Sequence, residues 1–297
     1  MSPRTRAVFG LVFSVFLGST SGVLIKLSNW DAMALNGARS LIAAAVVWAY
    51  LRHPNFTWSR AQVGGAVFFA LQTITFVQAT KWTTAANAVF LQFASPIWVA
   101  LFGIWLLDER PSRREWATIA AVGLGMLLFF SGELTQTGMW GNLLAIFSGV
   151  CTALALIAMR AQKDDSPTES ILLGNLIAGI VGLPFIFFND QPVNPREIGI
   201  ILYFGIFQLG LTYIIVSLAI KQLSAVETIL IQTLAPILLS LWVFLIIGEK
   251  PSLPAMAGAA IITTAVTINA ISSARDKPAI TPPAKQQKTN PGNDTAY

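Results

Sequence analysis

The chain is short of the residues that most catalytic and metal-binding proteins depend on. It has one cysteine, Cys151, and one histidine, His53, in 297 residues. A lone thiol excludes an internal disulfide, and one thiol with one imidazole makes no Cys/His metal site. No metal or other cofactor is expected. Charged residues are 11% of the chain, against about 25% in soluble domains. No Asp or Glu falls deep in any apolar run; Glu227 sits only a few residues into the ninth. Paired aspartates, an HExxH helix and a Ser–His pair are all missing, so no catalytic residue is assigned and an intramembrane enzyme is disfavoured. Proton-driven carriers usually keep an ionisable relay at depth. Without one the chain reads as a facilitator or exchanger, with Arg39 and Glu227 the only openings for a proton scheme.

What is present is apolar: 55% hydrophobic residues and a mean hydropathy of +0.65. Apolar runs fall at about 7–27, 32–51, 61–80, 85–107 and 116–131, then at about 140–159, 170–188, 198–220, 225–247 and 253–273. Each suffices to cross about 30 Å of hydrocarbon. The expected fold is an all-α integral membrane protein of ten transmembrane helices. Breakers such as His53-Pro54-Asn55 and Arg110-Pro111-Ser112 fill the short connections, and Ser112 with Glu115 fits a capping box. The Pro- and Lys-rich segment 274–297 reads as a disordered cytoplasmic tail.

The net charge of +5 does not point to nucleic acid, because the basic residues are scattered over short loops. With the N-terminus placed inside, 14 of the 19 Lys and Arg residues fall on the cytoplasmic side, from Arg4 and Arg6 to Lys288, as positive-inside topology requires. Both termini are then cytoplasmic. Arg4, Arg6 and the run up to Ala32-Met33-Ala34 imitate a cleavable signal peptide, but removing them leaves nine spans and breaks the repeat described next. The first span is therefore kept.

Residues 79–120 recur at 219–260 without a gap. Lys81/Lys221, Gln92/Gln232, Pro96/Pro236, Glu109/Glu249, Pro111/Pro251 and Ser112/Ser252 are identical at the constant offset, which chance matching of apolar residues does not produce. Each copy lies in a half of five spans, 7–131 and 140–273. An odd number turns the second half upside down in the membrane. Two inverted five-helix repeats of this kind are characteristic of secondary transporters with a site near the bilayer midplane.

Pro96 and Pro236 lie near the middle of the fourth and ninth spans, each four residues after a glutamine. Proline frees the carbonyl four residues earlier, so each site is either a hinge facing a water-filled cavity or a structural kink whose Gln92 or Gln232 bonds a neighbouring helix. The other polar candidates are Thr20 within Gly18–Gly22, its counterpart run Ser148–Thr152, Gln72, Thr73, Gln78, Asn175, Gln208, Thr212 and Tyr213. They can bind a neutral or zwitterionic solute or simply let helices pack. Arg39, well inside the second span, can clamp a carboxylate, snorkel, or brace backbone carbonyls. Lys26 and Lys81 read as snorkelling residues. Trp98 walls a pocket or fills the core, and Trp242 reads as packing; Trp30, Trp58, Trp82, Trp116 and Trp140 sit at span boundaries as an aromatic belt. The small-residue stripes Ala117/Ala121/Gly125 and Ala255/Ala259 make the fifth and tenth spans packing struts or a dimer face. The cavity is expected mainly between spans one, three, four, six, eight and nine.

The string from Ala79 to Ala88, then Pro96 and Asp108–Ser112, resembles the EamA repeat of the drug/metabolite transporter superfamily; Ala219–Ala225, Pro236 and Gly248–Ser252 resemble it again. Gly37-Ala38-Arg39 is similar to that family's second span, and the likeness covers roughly residues 7–273. The second copy departs from it, with Leu176 opposite Arg39 and Asn175 beside it. Within the superfamily, length and span number resemble bacterial amino-acid exporters of the YddG-type aromatic group. The resemblance implies export of amino acids or similar small metabolites across the bacterial inner membrane; the two inverted halves point to alternating access about Pro96 and Pro236, and a monomer or weak homodimer is expected. The alternative is multidrug efflux of lipophilic compounds; a channel is the other competitor.

Overall fold

In the structure, a computed structural model, residues 2–129, 131, 138–165, 167–191, 193–238 and 253–276 are described. They contain helices and turns, and no strand. Helices α1 (Pro3–Gly18) and α2 (Ser21–Leu27) make the first span, α3 (Ala32–Leu51) the second and α4 (Arg60–Trp82) the third. The fourth is α5 (Ala85–Gln92) with α6 (Ser95–Leu106), and the fifth is α7 (Arg113–Phe129). The second half repeats the order: α8 (Met139–Ala161), α9 (Pro167–Phe187), then α10 (Pro195–Tyr203), a π-helical stretch (Phe204–Leu211) and α11 (Thr212–Ala219) as the eighth span. The ninth begins with α12 (Ala225–Gln232), and α13 (Leu253–Asp276) is the tenth. Eight of these segments are long and apolar enough to cross a membrane. The fifth, at 17 residues, reaches about 25 Å at the helical rise, and the ninth is described only to Leu238. Trp242, the turn 249–252 and the tail beyond Asp276 lie outside the described residues.

Local chemistry sets the span ends. Ser59 accepts from Gln62 N, Asp31 from Met33 N and Ala34 N, and Asn194 from Glu197 N. Thr84 accepts from Asn87 N, while its repeat mate Ser224 closes a full capping box with Glu227. Ser112 and Glu115 exchange the two expected bonds, at 2.7 and 3.2 Å. Each satisfies amides that a helix start otherwise leaves unpaired. The side chains turned away from the core are apolar: Phe9, Phe13 and Phe16 along α1, with Trp105, Phe187 and Leu253 elsewhere, stand exposed. That is the surface of a protein solvated by lipid.

Packing follows a two-fold pattern. α3 packs on α9, α6 on α12 and α7 on α13, pairing spans two, four and five with their own counterparts seven, nine and ten. α4 packs on α8, and α1 on α11 and α12, which exchanges under the same operation. Because each half holds an odd number of spans, the axis relating them lies in the membrane plane, and the ten helices form two inverted five-helix repeats. The close crossings use glycine. An ideal Cβ at Gly182 would stand 2.4 Å from Gly37 Cα, and one at Gly125 would stand 3.0 Å from Gly258 O. The α7–α13 contact is the strut role read from their small residues.

The two faces of the bundle are tied differently. On the face of the N-terminus, Arg4 pairs with Glu227 at 2.6 Å and Arg160 with Glu109 at 2.7 Å, while Arg160 Nη1 also donates to Ile220 O. On the opposite face Thr83 Oγ1 and Asn87 Nδ2 both donate to Asn142 Oδ1, and the Glu197 carboxylate accepts from Ser28 Oγ and Asn29 N. The repeated lysines do the same job on opposite faces. Lys81 Nζ donates to Ser28 O and Lys221 Nζ to Asp165 O, each joining the connection after the third or eighth span to that after the first or sixth. Lys26 Nζ likewise donates to Thr83 O. The lysines expected to snorkel, Lys26 and Lys81, instead end on carbonyls of a neighbouring loop.

Candidate functional site

Both proline-bearing spans are interrupted outright, where the sequence suggested a kink. Turns at residues 93–94 and 233–234 separate helices that resume just before Pro96 and Pro236. Each proline thus opens a new helix, where its missing amide hydrogen costs nothing. Around the first break the chain closes tighter bonds: Ala94 N to Leu91 O and Ile97 N to Ala94 O. The Gln92 carbonyl, which loses its donor to Pro96, faces Gly149 of α8, where an ideal Cβ would come within 2.8 Å of that oxygen. A side chain at 149 would push the two spans apart.

Between these breaks lies a cavity of ≈ 110 Å³. The first half supplies Ser14, Val15, Gly18, Ser19 and Ser21 from the first span, Arg39 from α3, and Gln72, Thr73 and Phe76 from α4. Its broken fourth span adds Val89, Gln92, Phe93 and Ser95. From the second half come Thr152, then Gln208, Leu209, Thr212 and Tyr213, and finally Ile229, Gln232, Ala235 and Pro236. The lining therefore comes from spans one, three, four, six, eight and nine, joined by the second through Arg39. No described lining residue is an Asp or Glu.

One polar network holds part of the wall. Gln72 Nε2 donates to Tyr213 Oη at 3.0 Å, and Thr152 Oγ1 donates to Gln72 Oε1 at 2.7 Å. Gln92 Nε2 donates to Ser148 Oγ at 2.9 Å, which donates onward to Gln72 O. Tyr213 is also braced edge-on by Phe69, 4.7 Å between ring centroids. The eighth span reaches this wall through its π-helical stretch. From cap to cap it is five residues longer than its counterpart, Asn194 to Ser224 against Ser59 to Thr84. Inserted residues are accommodated as π turns, which occur often at functional sites. Glycine lets the stretch lie close on α3, since an ideal Cβ at Gly205 would stand 2.9 Å from Arg39 O.

Arg39 is 2% exposed, so it does not snorkel. Asn36 Oδ1 accepts from its Nε at 3.2 Å and its Nη2 at 3.0 Å, and Thr73 O accepts from Nη2 at 3.5 Å. The guanidinium lies over the Phe204 ring, 5.4 Å from the centroid. Nη1 has no partner. Among the other sequence candidates, Gln72, Gln92, Gln208, Tyr213 and Gln232 share the cavity with Arg39. Thr20 lies beside it, donating to Tyr203 Oη at 3.2 Å. Gln78 is off the lining, and Asn175 is fully buried with Nδ2 on Ile171 O. Trp98 is also off the lining, stacked on Phe102 at 5.9 Å. Of the two prolines only Pro236 lines the space. The lining also includes Ser14 and Ser95, which were not singled out from the sequence; serines at helical spacing in an apolar run carry no signal that separates lining from packing.

Comparison with known proteins matches this arrangement. The EamA-like transporter family matches twice, over residues 5–131 and 139–271. An uncharacterized transporter of Archaeoglobus fulgidus is 23% identical over 84% of this chain and 92% of its own length. The pseudopaline exporter CntI of Pseudomonas aeruginosa is 25% identical over 86% of this chain and 94% of its own. The threonine/homoserine exporter RhtA of Escherichia coli K12 is 29% identical, but over 45% of this chain and 41% of its own. A solved crystal structure superposes with a TM-score of 0.75 at 18% identity, covering 92% of this chain and 99% of its own; it speaks to the fold. These findings make the protein a multi-pass membrane transporter, and the chain belongs to the EamA-like transporter family.

Proposed function

We propose that the protein exports amino acids or similar small metabolites across the bacterial inner membrane by alternating access. The observation that carries this reading is the central cavity, lined by hydrogen-bonding side chains of both halves and flanked by the broken helices ahead of Pro96 and Pro236. Half-helices joined by short turns can pivot without breaking a continuous ladder of backbone bonds, and two inverted halves that trade conformations expose one site to each side in turn. The exporter relatives RhtA and CntI support the direction of flux and the small polar solute. The absence of Asp and Glu from the described lining supports facilitated exchange over proton coupling. Both termini are placed in the cytoplasm by the distribution of Lys and Arg. The test is counterflow in proteoliposomes with labelled amino acids, with and without a pH gradient. Saturable, gradient-independent exchange is expected. Non-saturable flux, or no flux of any amino acid or metabolite, would overturn the exporter reading, and steep gradient-driven accumulation would overturn the exchange mode.

A further inference from the structure

We infer that the cavity selects α-amino acid zwitterions, with Arg39 Nη1 taking the solute's carboxylate and Gln208 Oε1 taking its ammonium group. This rests on the transporter reading above and names the chemistry of that same cavity. Four observations carry it. Arg39 lines the cavity, is 2% exposed and has no ion-pair partner among the described residues. A buried guanidinium without a counter-ion is costly, and among the described residues Asn36, the Thr73 carbonyl and the Phe204 ring offset it. Those contacts fix the plane of the group through Nε and Nη2 and leave Nη1 as its one unused nitrogen. A carboxylate arriving there supplies the missing charge and accepts the unused hydrogens at once.

Gln208 provides the complementary vacancy. Gln208 lines the same cavity, and its buried Oε1 has no donor among the described residues. A carbonyl oxygen accepts and cannot donate, so it answers an ammonium group and not a second carboxylate. Both atoms belong to one packed unit, because Phe204 beneath the guanidinium and Gln208 lie on the same π-helical stretch, against α3. With no acid among the described lining residues, a solute carrying only positive charge meets Arg39 without compensation. Lipophilic cations are therefore disfavoured. Asn36 acts as a positioning residue, orienting the guanidinium without reaching the solute.

The experiment uses the full-length protein in liposomes. Counterflow first finds an amino acid that exchanges; competition is then measured with that amino acid, its amide, its decarboxylated amine and its deaminated acid. For the wild-type protein the amide and amine are expected to compete about tenfold to 100-fold less well than the parent, the range of one charge-assisted hydrogen bond. The deaminated acid is expected to compete less well by a smaller factor. Arg39→Gln should abolish the acid-over-amide preference, and Gln208→Leu should abolish the preference for the amino group while keeping that for the carboxylate. If Arg39→Gln fails to fold, the wild-type analogue series still decides. Equal competition by acid and amide overturns the inference while leaving the exporter reading intact; absence of exchange by every amino acid overturns the inference as well, and only absence of flux of every metabolite tried defeats both.

Discussion

The two halves of the bundle share a scaffold and differ at the site. Their caps, broken helices and lysine ties repeat across the pseudo-two-fold axis. Their cavity residues do not. Arg39 of the second span faces Leu176 in the seventh by sequence, and Asn175 beside it turns to its own helix at Ile171. The third span is a regular helix, whereas the eighth carries eight residues of π-helix. The first span is interrupted at Ser19-Thr20, whereas α8 runs unbroken for 23 residues. Gln92 is tethered to Ser148, but Gln232 makes no side-chain hydrogen bond among the described residues. Counted from the starts of the two family matches, Ser148 answers to Ser14, whose hydroxyl bonds its own Leu11 carbonyl instead. Symmetry is kept where the halves must move past one another. It is lost at the cavity, which fits the proposed function, since an asymmetric solute cannot be complemented by a symmetric ring of groups.

The largest expected effect tests the scaffold. Gly182→Ala places a methyl group against Gly37 backbone, and such overpacking costs about 1–3 kcal/mol. Gly123→Ala, with nothing within 4 Å of its new methyl, is expected to leave thermal stability unchanged or raised, as alanine outranks glycine in helices. Melting followed by size-exclusion recovery separates them, and equal melting of the two variants breaks the proposed glycine crossing. Next come the hinges. Pro236→Ala and Pro96→Ala should each reduce flux about tenfold or more while the protein remains abundant, the change corresponding to about 1.4 kcal/mol. The loss at Pro236 should be greater because it lines the cavity. Wild-type rates in both variants would remove the hinge role.

A smaller effect sharpens the tether asymmetry. Ser148→Ala removes two hydrogen bonds, to Gln92 and to Gln72 O, each worth about 1 kcal/mol, and should shift the protein away from the described conformation. Ser14→Ala should shift it less. Accessibility of a single cysteine placed at Gln232, in a Cys151→Ser background, reports the shift; identical labelling of the two serine variants argues against it. The smallest effect is expected at Trp98→Phe. Because Trp98 stacks on Phe102 off the lining, the KM for the exchanged solute should stay within about twofold; a tenfold rise would place the indole at the site after all.

The spans, their order and their ends were legible, because apolar runs of membrane length and cap residues act over a few neighbouring positions. The spacing of Gln92 and Gln232 from their prolines also showed where a wall could open. The π-helical stretch was not legible, since its extra residues lie in an apolar run without proline, and its one polar residue, Gln208, reads the same in an α-helix. The break at Ser19-Thr20 was hidden similarly: small hydroxylated residues mark both close packing and a helix end. Asn175 and Trp98 were named with the cavity residues because polarity and mid-span depth are visible in one dimension, while the direction a side chain faces is not.

Sequence by itself determined the ten spans, the inverted repeat and the paired prolines, because hydropathy, chain punctuation and a constant offset are properties of order along the chain. Tertiary structure alone decided that Arg39 is pinned by Asn36 and Phe204 with one nitrogen left over, that Gln92 is held while Gln232 is not, and that Pro236 meets the cavity and Pro96 does not. Those outcomes depend on which helix lies opposite, and in a chain this apolar nearly every helix face is equally able to bury.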